Sequence, residues 1–186
     1  AFTILVPFAV FSGKFKLPPT PYVLLALLCG VLFGADVAVW SISIQESSAT
    51  QASLLTNLSP VWVGIASFLF LHPKPKTNFW LGTLVAVFGM VTFVGFHFFT
   101  QLDFDRAFVF AVLSGIFYAG YLLISKKALA KIDVFSFMFL SLFASSVSLG
   151  ALCFAINEPF SGFSSAGWGV LVIQAIVCQL AAWFLI

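Results

Sequence analysis

The chain consists of seven apolar runs separated by short polar stretches. Six of the runs contain 19 to 23 residues, which matches the ~20 residues that a helix needs to cross a hydrocarbon core of ~30 Å. They show no alternation of apolar and polar residues, so helices are predicted rather than barrel strands. The first run is too short to span and is expected to be the end of a helix. The runs are 1–12, 22–44, 52–71, 79–98, 107–125, 134–156 and 166–186.

The loops between these runs alternate in charge. Seven of the eight basic residues lie in the first, third and fifth loops, whereas the second, fourth and sixth loops hold acidic residues and Arg106. Lysine and arginine are retained on the cytoplasmic side during membrane insertion. The alternation therefore predicts a multi-pass protein of the cell's inner membrane, with residues 13–21, 72–78 and 126–133 in the cytoplasm.

Composition supports this prediction and excludes several other classes. The chain is 62% hydrophobic and 8% charged, where a soluble domain carries about 25% charged residues. The net charge of +2 does not indicate nucleic-acid binding, because the lysines occur in twos and threes at the ends of runs. Cys29, Cys153 and Cys178 lie inside apolar runs without CxxC spacing, so we expect no disulfide framework, no metal site and no cofactor.

A short internal similarity links the second run to the last. At an offset of 143 residues, Asp36-Val-Ala-Val-Trp40 aligns with Gln179-Leu-Ala-Ala-Trp183. Since the two copies lie five spans apart, they would be inverted across the membrane. Inverted repeats place a substrate site near the midplane, between the two halves.

Several segments carry a resemblance to a known family. The stretch 30–40 reads Gly-Val-Leu-Phe-Gly-Ala-Asp-Val-Ala-Val-Trp, and a small-residue helix with the step Leu58-Ser59-Pro60 follows it. The next helix opens with Trp80-Leu81-Gly82, and 115–121 reads Gly-Ile-Phe-Tyr-Ala-Gly-Tyr. In order and spacing, these segments resemble the EamA-type branch of the drug/metabolite transporter superfamily.

The resemblance implies an all-α membrane protein, a polytopic bundle of ten helices in two inverted five-helix repeats. Residues 1–98 would supply the end of the first half (part of helix 2 and helices 3–5), and residues 107–186 the start of the second half, with helices 1, 9 and 10 missing here. One departure is visible. The family usually has a Glu shortly after the Leu that closes helix 4, but here Leu71 is followed by His72-Pro73-Lys74. The role of that Glu is therefore in doubt in this chain.

Asp36 is the strongest candidate for a functional residue. It is the only charged side chain deep inside an apolar run, three residues past the midpoint of 22–44. A charge at the bilayer centre costs ~2.5–3.5 kcal/mol or more, so this carboxyl is expected to face a cavity or a partner. It predicts a site for proton coupling or for a cationic substrate. The alternative is a neutral carboxyl that only packs against a neighbouring helix.

The other candidates are polar or aromatic residues at matching depth. Gln179 is the repeat partner of Asp36, and a second group is expected to line the same cavity: Trp40, Ser53, Asn57, Tyr118 and Trp183. Pro60 is expected to act as a hinge, because it lacks the N–H that would bond to the Thr56 carbonyl.

Packing roles are expected for several other residues. Leu58 and Trp62 are expected to face lipid, and Tyr121 to anchor the membrane interface. Gly82 and Gly89 are expected to mediate helix packing.

Together these features predict a secondary transporter that moves a small metabolite, amino acid or drug by alternating access. The resemblance implies export. An intramembrane enzyme is one alternative, but one Asp is too few for the catalytic groups it needs. A seven-helix receptor or retinal protein is another, but a retinal site needs a Lys within a span. No enzymatic activity is therefore expected, and the expected partners are a small-molecule substrate and the bilayer, with the oligomeric state left open.

Overall fold

The computed structural model describes residues 2, 6–7, 17–46, 55–70, 74–94, 106–157 and 164–181. Within them the chain is helical and contains no strand, which confirms the predicted all-α membrane bundle. A π-helical segment, Gln174–Ala181, continues the last α-helix. The α-helices are α1 Thr20–Glu46, α2 Ser59–Phe70, α3 Thr77–Val94, α4 Arg106–Leu129, α5 Val134–Ala155 and α6 Ser165–Ile173.

Three of these helices are long and apolar enough to cross a membrane. Helices α1, α4 and α5 contain 27, 24 and 22 residues. At a rise of 1.5 Å per residue they are about 33–40 Å long, which exceeds the hydrocarbon core. Their apolar side chains extend around the whole circumference, so neighbouring helices and lipid must share the surface between them.

Helix ends follow local sequence signals. Asp133 caps α5, and its carboxylate accepts a hydrogen bond of 2.8 Å from the backbone N–H of Ser136. Asn157, just beyond the end of α5, has φ of 55°, a left-handed conformation that Asn tolerates better than most residues. Ser164 caps α6 by accepting from the Gly167 N–H at 3.1 Å.

Helix α2 differs from the continuous helix predicted for 52–71. The chain turns at Asn57–Leu58, and the regular helix begins at Ser59. Pro60 therefore lies in the first turn of α2, where the missing N–H costs no hydrogen bond. Pro60 cannot donate to the Thr56 carbonyl, and the helix is interrupted between the two residues. A hinge at Pro60 stays a prediction.

Helix α1 packs against α5 through close backbone contact. A Cβ added at Gly30 would collide with the carbonyl oxygen of Ser141 and lie 2.6 Å from the Ala144 Cβ. One turn later, a Cβ at Gly34 would collide with the Ser148 hydroxyl. Residue numbers rise together along the two helices, so α1 and α5 run parallel, as two outward-running spans of the predicted topology must.

On another side α1 packs antiparallel to α4. The Sγ atom of Cys29 lies 4.0 Å from the Tyr121 carbonyl oxygen, and towards the other end Ser43 donates a 2.8 Å hydrogen bond to the Ala107 carbonyl. Tyr121 is only 6% exposed, and its ring packs 5.4 Å from that of Phe33. The expectation that Tyr121 anchors the membrane interface is therefore wrong, because the ring is buried in the helix core.

Helix α2 packs along α4, and this corrects two lipid-facing expectations. Leu58 packs against the buried pair Leu55 and Ala111. The Trp62 ring borders α4 at Gly115, where an added Cβ would lie 3.2 Å from its Cδ1 atom. Both side chains face protein, because the turn at Asn57–Leu58 changes the face that α2 presents to α4.

Helix α3 is joined to α2 by aromatic contact. A Cβ at Gly64 would lie 2.8 Å from the Phe79 ring and 3.1 Å from the Trp80 ring. By contrast, Gly82 and Gly89 of α3 have no heavy atom within 4 Å of an added Cβ among the described residues. The packing role expected of these two glycines has no partner in this part of the chain.

Candidate functional site

A cavity of about 240 Å³ lies between α1, the turn that precedes α2, and α4. It brings together four of the residues predicted from sequence: Asp36, Trp40, Asn57 and Tyr118. The remaining lining residues are Val37, Thr56 and Ser59. The cavity thus forms at the depth of Asp36, close to the middle of α1.

Other predicted site residues lie elsewhere. Ser53 and Trp183 fall outside the described residues, and so does the side chain of Gln179, whose backbone belongs to the π-helical segment. Pro60 does not line the cavity, but it follows the lining residue Ser59 and is exposed at the start of α2. The proposed pairing of Asp36 with Gln179 therefore stays a prediction.

Asp36 is buried and has a partner on the neighbouring helix. Its side chain is 7% exposed, and Ser114 of α4 donates a hydrogen bond of 2.5 Å to its Oδ1 atom. The antiparallel packing of α1 on α4 positions this pair about midway between the Cys29–Tyr121 and Ser43–Ala107 contacts. Burial of the carboxyl is thus offset by a direct hydrogen bond, as a polar group in an apolar surrounding requires.

Ser114 extends this contact to a third helix region. Its hydroxyl oxygen lies 3.2 Å from Thr56 Oγ1, and Ser114 is fully buried. A serine hydroxyl has a single hydrogen, and Ser114 uses it for Asp36. Thr56 is therefore the donor and Ser114 the acceptor in the second bond. The result is a hydrogen-bonded chain Thr56–Ser114–Asp36 that connects the approach to α2, then α4, then α1.

Sequence reasoning had not identified Thr56 and Ser114 as site residues. Ser114 lies four residues before Tyr118, so both occupy one face of α4, and this spacing was the available signal. In the sequence analysis, Thr56 matters only for its backbone carbonyl, which Pro60 leaves without a donor. Neither position stands out in the sequence, because isolated Ser and Thr residues are common in membrane helices, where they bond to the backbone.

The charge of the lining is that of a single carboxyl group. Among the lining residues, Asp36 is the only acid and none is basic, while Trp40 and Tyr118 contribute aromatic rings and Asn57 an amide. The ion pair recorded within the described residues, Arg106–Glu46 at 4.0 Å, lies ten residues beyond Asp36 along α1, or about 15 Å away. A cavity of this kind suits a ligand that carries a positive charge and a planar ring.

Trp62 is a further feature that sequence reasoning missed. Its indole Nε1 is buried and has no hydrogen-bond partner among the described residues. Buried donors are usually paired, so this atom marks the α2–α4 contact as an unusual one.

No group of three or more His, Cys, Asp or Glu side chains in the described residues can hold a metal ion.

The fold and cavity define a class of protein: a multi-pass helical membrane protein with a partly aromatic cavity at membrane depth. Comparison of the sequence with known families gives the particular group. Residues 1–95 match the EamA-like transporter family, and the chain belongs to that family. Members of this family are membrane transporters by description.

Curated relatives support this assignment. The chain is 27% identical over 145 residues to a protein of Rickettsia bellii named S-adenosylmethionine uptake transporter, a match that covers 77% of this chain and 48% of the relative. It is 28% identical over 143 residues to YhbE of Escherichia coli K12, named as an uncharacterized inner membrane transporter, covering 71% of this chain and 44% of the relative. The chain thus spans about half the length of these relatives. No solved structure matches it.

Proposed function

We propose that this chain forms part of a secondary transporter of the inner membrane, which binds its substrate in the Asp36 cavity and moves it by alternating access. The observation that carries this proposal is a buried carboxyl at membrane depth, on the wall of a cavity that it shares with three other predicted site residues. Ionisable side chains are rare within membrane spans and usually mark the path of a substrate or an ion. Family membership supports transport rather than catalysis.

The substrate class follows from the lining. Asp36 supplies the single negative charge of the described lining, and Trp40 and Tyr118 supply rings that can stack on a planar group or lie beside a cation. We propose a small organic cation with a planar ring. The Rickettsia relatives are named for S-adenosylmethionine, whose sulfonium cation and adenine ring fit this description.

The direction of transport is a separate matter from its site. The sequence resemblance implies export, whereas the Rickettsia relatives are named for uptake. The same cavity can serve uptake or export, because the driving gradient sets the direction of net transport. We propose coupling to protons through Asp36, so the direction follows from whether substrate and proton move together or in exchange.

Orientation follows from the lysine-rich loops. We propose that the ends of the helices near Lys74, Lys76, Lys126, Lys127 and Lys131 face the cytoplasm. The packing is consistent with this, since Glu46 and Arg106 meet at the opposite end of α1 and α4. Cysteines introduced in each loop and labelled in intact cells test it: an impermeant reagent is expected to label the acidic loops and spare the lysine loops.

The central test is Asp36→Asn, measured with the protein expressed from its complete reading frame. Radiolabelled S-adenosylmethionine is the probe in membrane vesicles with an imposed proton gradient. The Asn variant is expected to lose proton-driven transport while remaining folded and inserted, because Asn keeps the shape of Asp but cannot cycle a charge. Proton-driven transport at the native rate in the Asn variant contradicts the coupling role.

Two further variants sharpen this test. Asp36→Glu is expected to retain partial activity, since the charge survives and only its position shifts by one methylene group. Asp133→Asn is the matched control: it changes a carboxyl to an amide at the exposed cap of α5, away from the cavity. This control is expected to leave the proton dependence of transport unchanged.

A further inference from the structure

The hydrogen-bonded chain Thr56–Ser114–Asp36 has a direction, and the charge of Asp36 sets it. An ionised carboxylate only accepts hydrogen bonds. Ser114 must then donate to Asp36, so its oxygen is left to accept from Thr56, in agreement with the two contacts of 2.5 and 3.2 Å. The two oxygen–oxygen distances fit this arrangement, which is the one that an ionised Asp36 requires.

Protonation of Asp36 at Oδ1 reverses both bonds. The carboxyl O–H becomes a donor to Ser114 Oγ, and the Ser114 hydrogen turns towards Thr56 Oγ1, which becomes the acceptor. The proton gained by Asp36 is the only one added, and the two existing hydroxyl hydrogens change partners without leaving their oxygens. Bonds to an ionised group are about twice as strong as bonds between neutral groups. Protonation therefore weakens the Ser114–Asp36 bond directly. It also weakens the Thr56–Ser114 bond, because the hydrogen bonds of a chain polarise one another and the charge that polarises this chain is lost.

Thr56 is the last residue before the turn at Asn57–Leu58, which precedes α2. Pro60 has no N–H to bond the Thr56 carbonyl. Among the described residues, the side-chain hydrogen bond to Ser114 joins Thr56 to α4. When this bond weakens, the turn that carries the cavity residues Asn57 and Ser59 loses a tether to α4.

We propose that Ser114 is a positioning residue that transmits the protonation state of Asp36 to the turn at Asn57–Leu58. This inference rests on the proposed function, because it gives the proton a route to the wall of the transport cavity. Protonation favours the conformation in which the turn is released from α4. A protonation step couples to transport only if it stabilises one conformation over another, and this chain supplies the difference.

The other groups that face Asp36 from the described residues do not offer a competing route. From α4 the second cavity group is Tyr118, which is titratable, and from the α2 side they are Asn57 and Ser59, which are not. Helix α5 approaches α1 at Gly34, two residues before Asp36, with the Ser145 carbonyl and the Ser148 hydroxyl. None of these groups is a second carboxyl.

The experiment measures the accessibility of the turn as a function of pH. The protein is expressed from its complete reading frame with Cys153→Ser and Cys178→Ser, while Cys29 is retained because it is fully buried. Ser59→Cys is the reporter, because Ser59 is only 7% exposed, and its rate of reaction with a small thiol reagent is divided by the rate at Lys131→Cys, an exposed site away from the cavity. This division removes the effect of pH on the reagent chemistry.

The normalised rate at position 59 is expected to rise about five- to tenfold from alkaline to acidic pH when Ser114 is present. Ser114→Ala and Asp36→Asn are each expected to abolish this rise, so that the ratio of the acidic to the alkaline rate falls to about one. Ser114→Thr, which keeps a hydroxyl, is expected to restore part of the rise. Thr56→Val is a second variant that breaks the chain from the other side and is expected to abolish the rise as well. Ser43→Ala is the matched control, because it removes another fully buried serine bond between α1 and α4 and is expected to keep the rise.

Two results separate the inference from the function it rests on. If S-adenosylmethionine transport depends on protons and on Asp36, but Ser114→Ala and Thr56→Val keep the native pH ratio, the positioning role is wrong and the proposed function stands. If Asp36→Asn also keeps both the ratio and proton-driven transport, the proposed coupling fails, and this inference fails with it.

Discussion

The two packed sides of α1 are built on opposite principles. Towards α5, Gly30 and Gly34 let the backbones approach until no added carbon would fit. Towards α4, the contact contains Asp36 and Ser114 beside a cavity of about 240 Å³. Small residues give a membrane helix pair tight van der Waals packing, whereas polar groups give directional bonds that can change partners. From this difference we expect α1 and α5 to move together during transport, and we expect changes of shape between α1, α4 and α2.

The largest effect on stability is expected from adding a methyl group at the tight contact between α1 and α5. Gly30→Ala should destabilise the fold by about 3 kcal/mol, since the new methyl group meets a backbone carbonyl that cannot move independently. Thermal unfolding in detergent measures the loss. Gly82→Ala is the control: this site is open among the described residues, and alanine favours the helix, so stability should be unchanged or slightly higher. Equal effects at both positions would remove the contrast between the two sides.

A smaller effect is expected from the aromatic wall of the cavity. Trp40→Ala should weaken binding of S-adenosylmethionine about tenfold, because the loss of a ring beside a cation removes ~1–2 kcal/mol. Equilibrium binding to purified protein is the measurement. Trp168→Ala is the matched control, since Trp168 lies on α6 with 51% of its surface exposed and does not line the cavity. Unchanged affinity in the Trp40 variant would place the substrate elsewhere.

The polar side also contains a bond that is structural only. Ser43→Ala removes the hydroxyl that donates to the Ala107 carbonyl at 2.8 Å, and should cost about 1 kcal/mol of stability. Transport should keep its dependence on pH, because this bond does not touch Asp36. The measurement pairs thermal unfolding with the vesicle assay, and a shifted pH profile would show that the α1–α4 contact responds as one unit.

The smallest effect is expected at the end of the same contact. Arg106→Gln removes the 4.0 Å ion pair with Glu46, and the arginine side chain is 82% exposed. Exposed pairs of this kind contribute about 0–1 kcal/mol, and the high exposure puts this one near the lower limit. Thermal unfolding should barely change. A loss as large as that of Gly30→Ala would mean that the helix ends hold the bundle together.

Much of the fold could be predicted because membrane helices are specified by length and apolarity. Each described α-helix overlaps a predicted run, and α4 and α5 begin within one residue of the predicted positions, although α1 and α4 extend beyond their runs. The interruption of α2 was only half predicted. Pro60 indicated a freed Thr56 carbonyl, but the turn at Asn57–Leu58 depends on how the segment meets α4, and apolar runs carry no signal for that.

The candidate site could be predicted in part for a related reason. Asp36 and Asn57 stand out because polar side chains are rare in a span, and Trp40 and Tyr118 lie at a similar depth. The predictions for Trp62 and Tyr121 were wrong, since both side chains are apolar enough for lipid or for a core. A soluble helix shows its buried face by its pattern, but a membrane helix is apolar on the lipid side and on the protein side alike.

The sequence by itself determined that the chain is a helical membrane protein, where its helices lie, and that a carboxyl is placed at membrane depth, because the cost of polar groups in lipid leaves few other solutions. Only the tertiary structure decided that α4 brings Ser114 to Asp36 and that Thr56 completes the chain from the α2 side. Hydrogen bonds depend on ångström distances between helices that are remote in sequence, and those distances are set by which faces pack together.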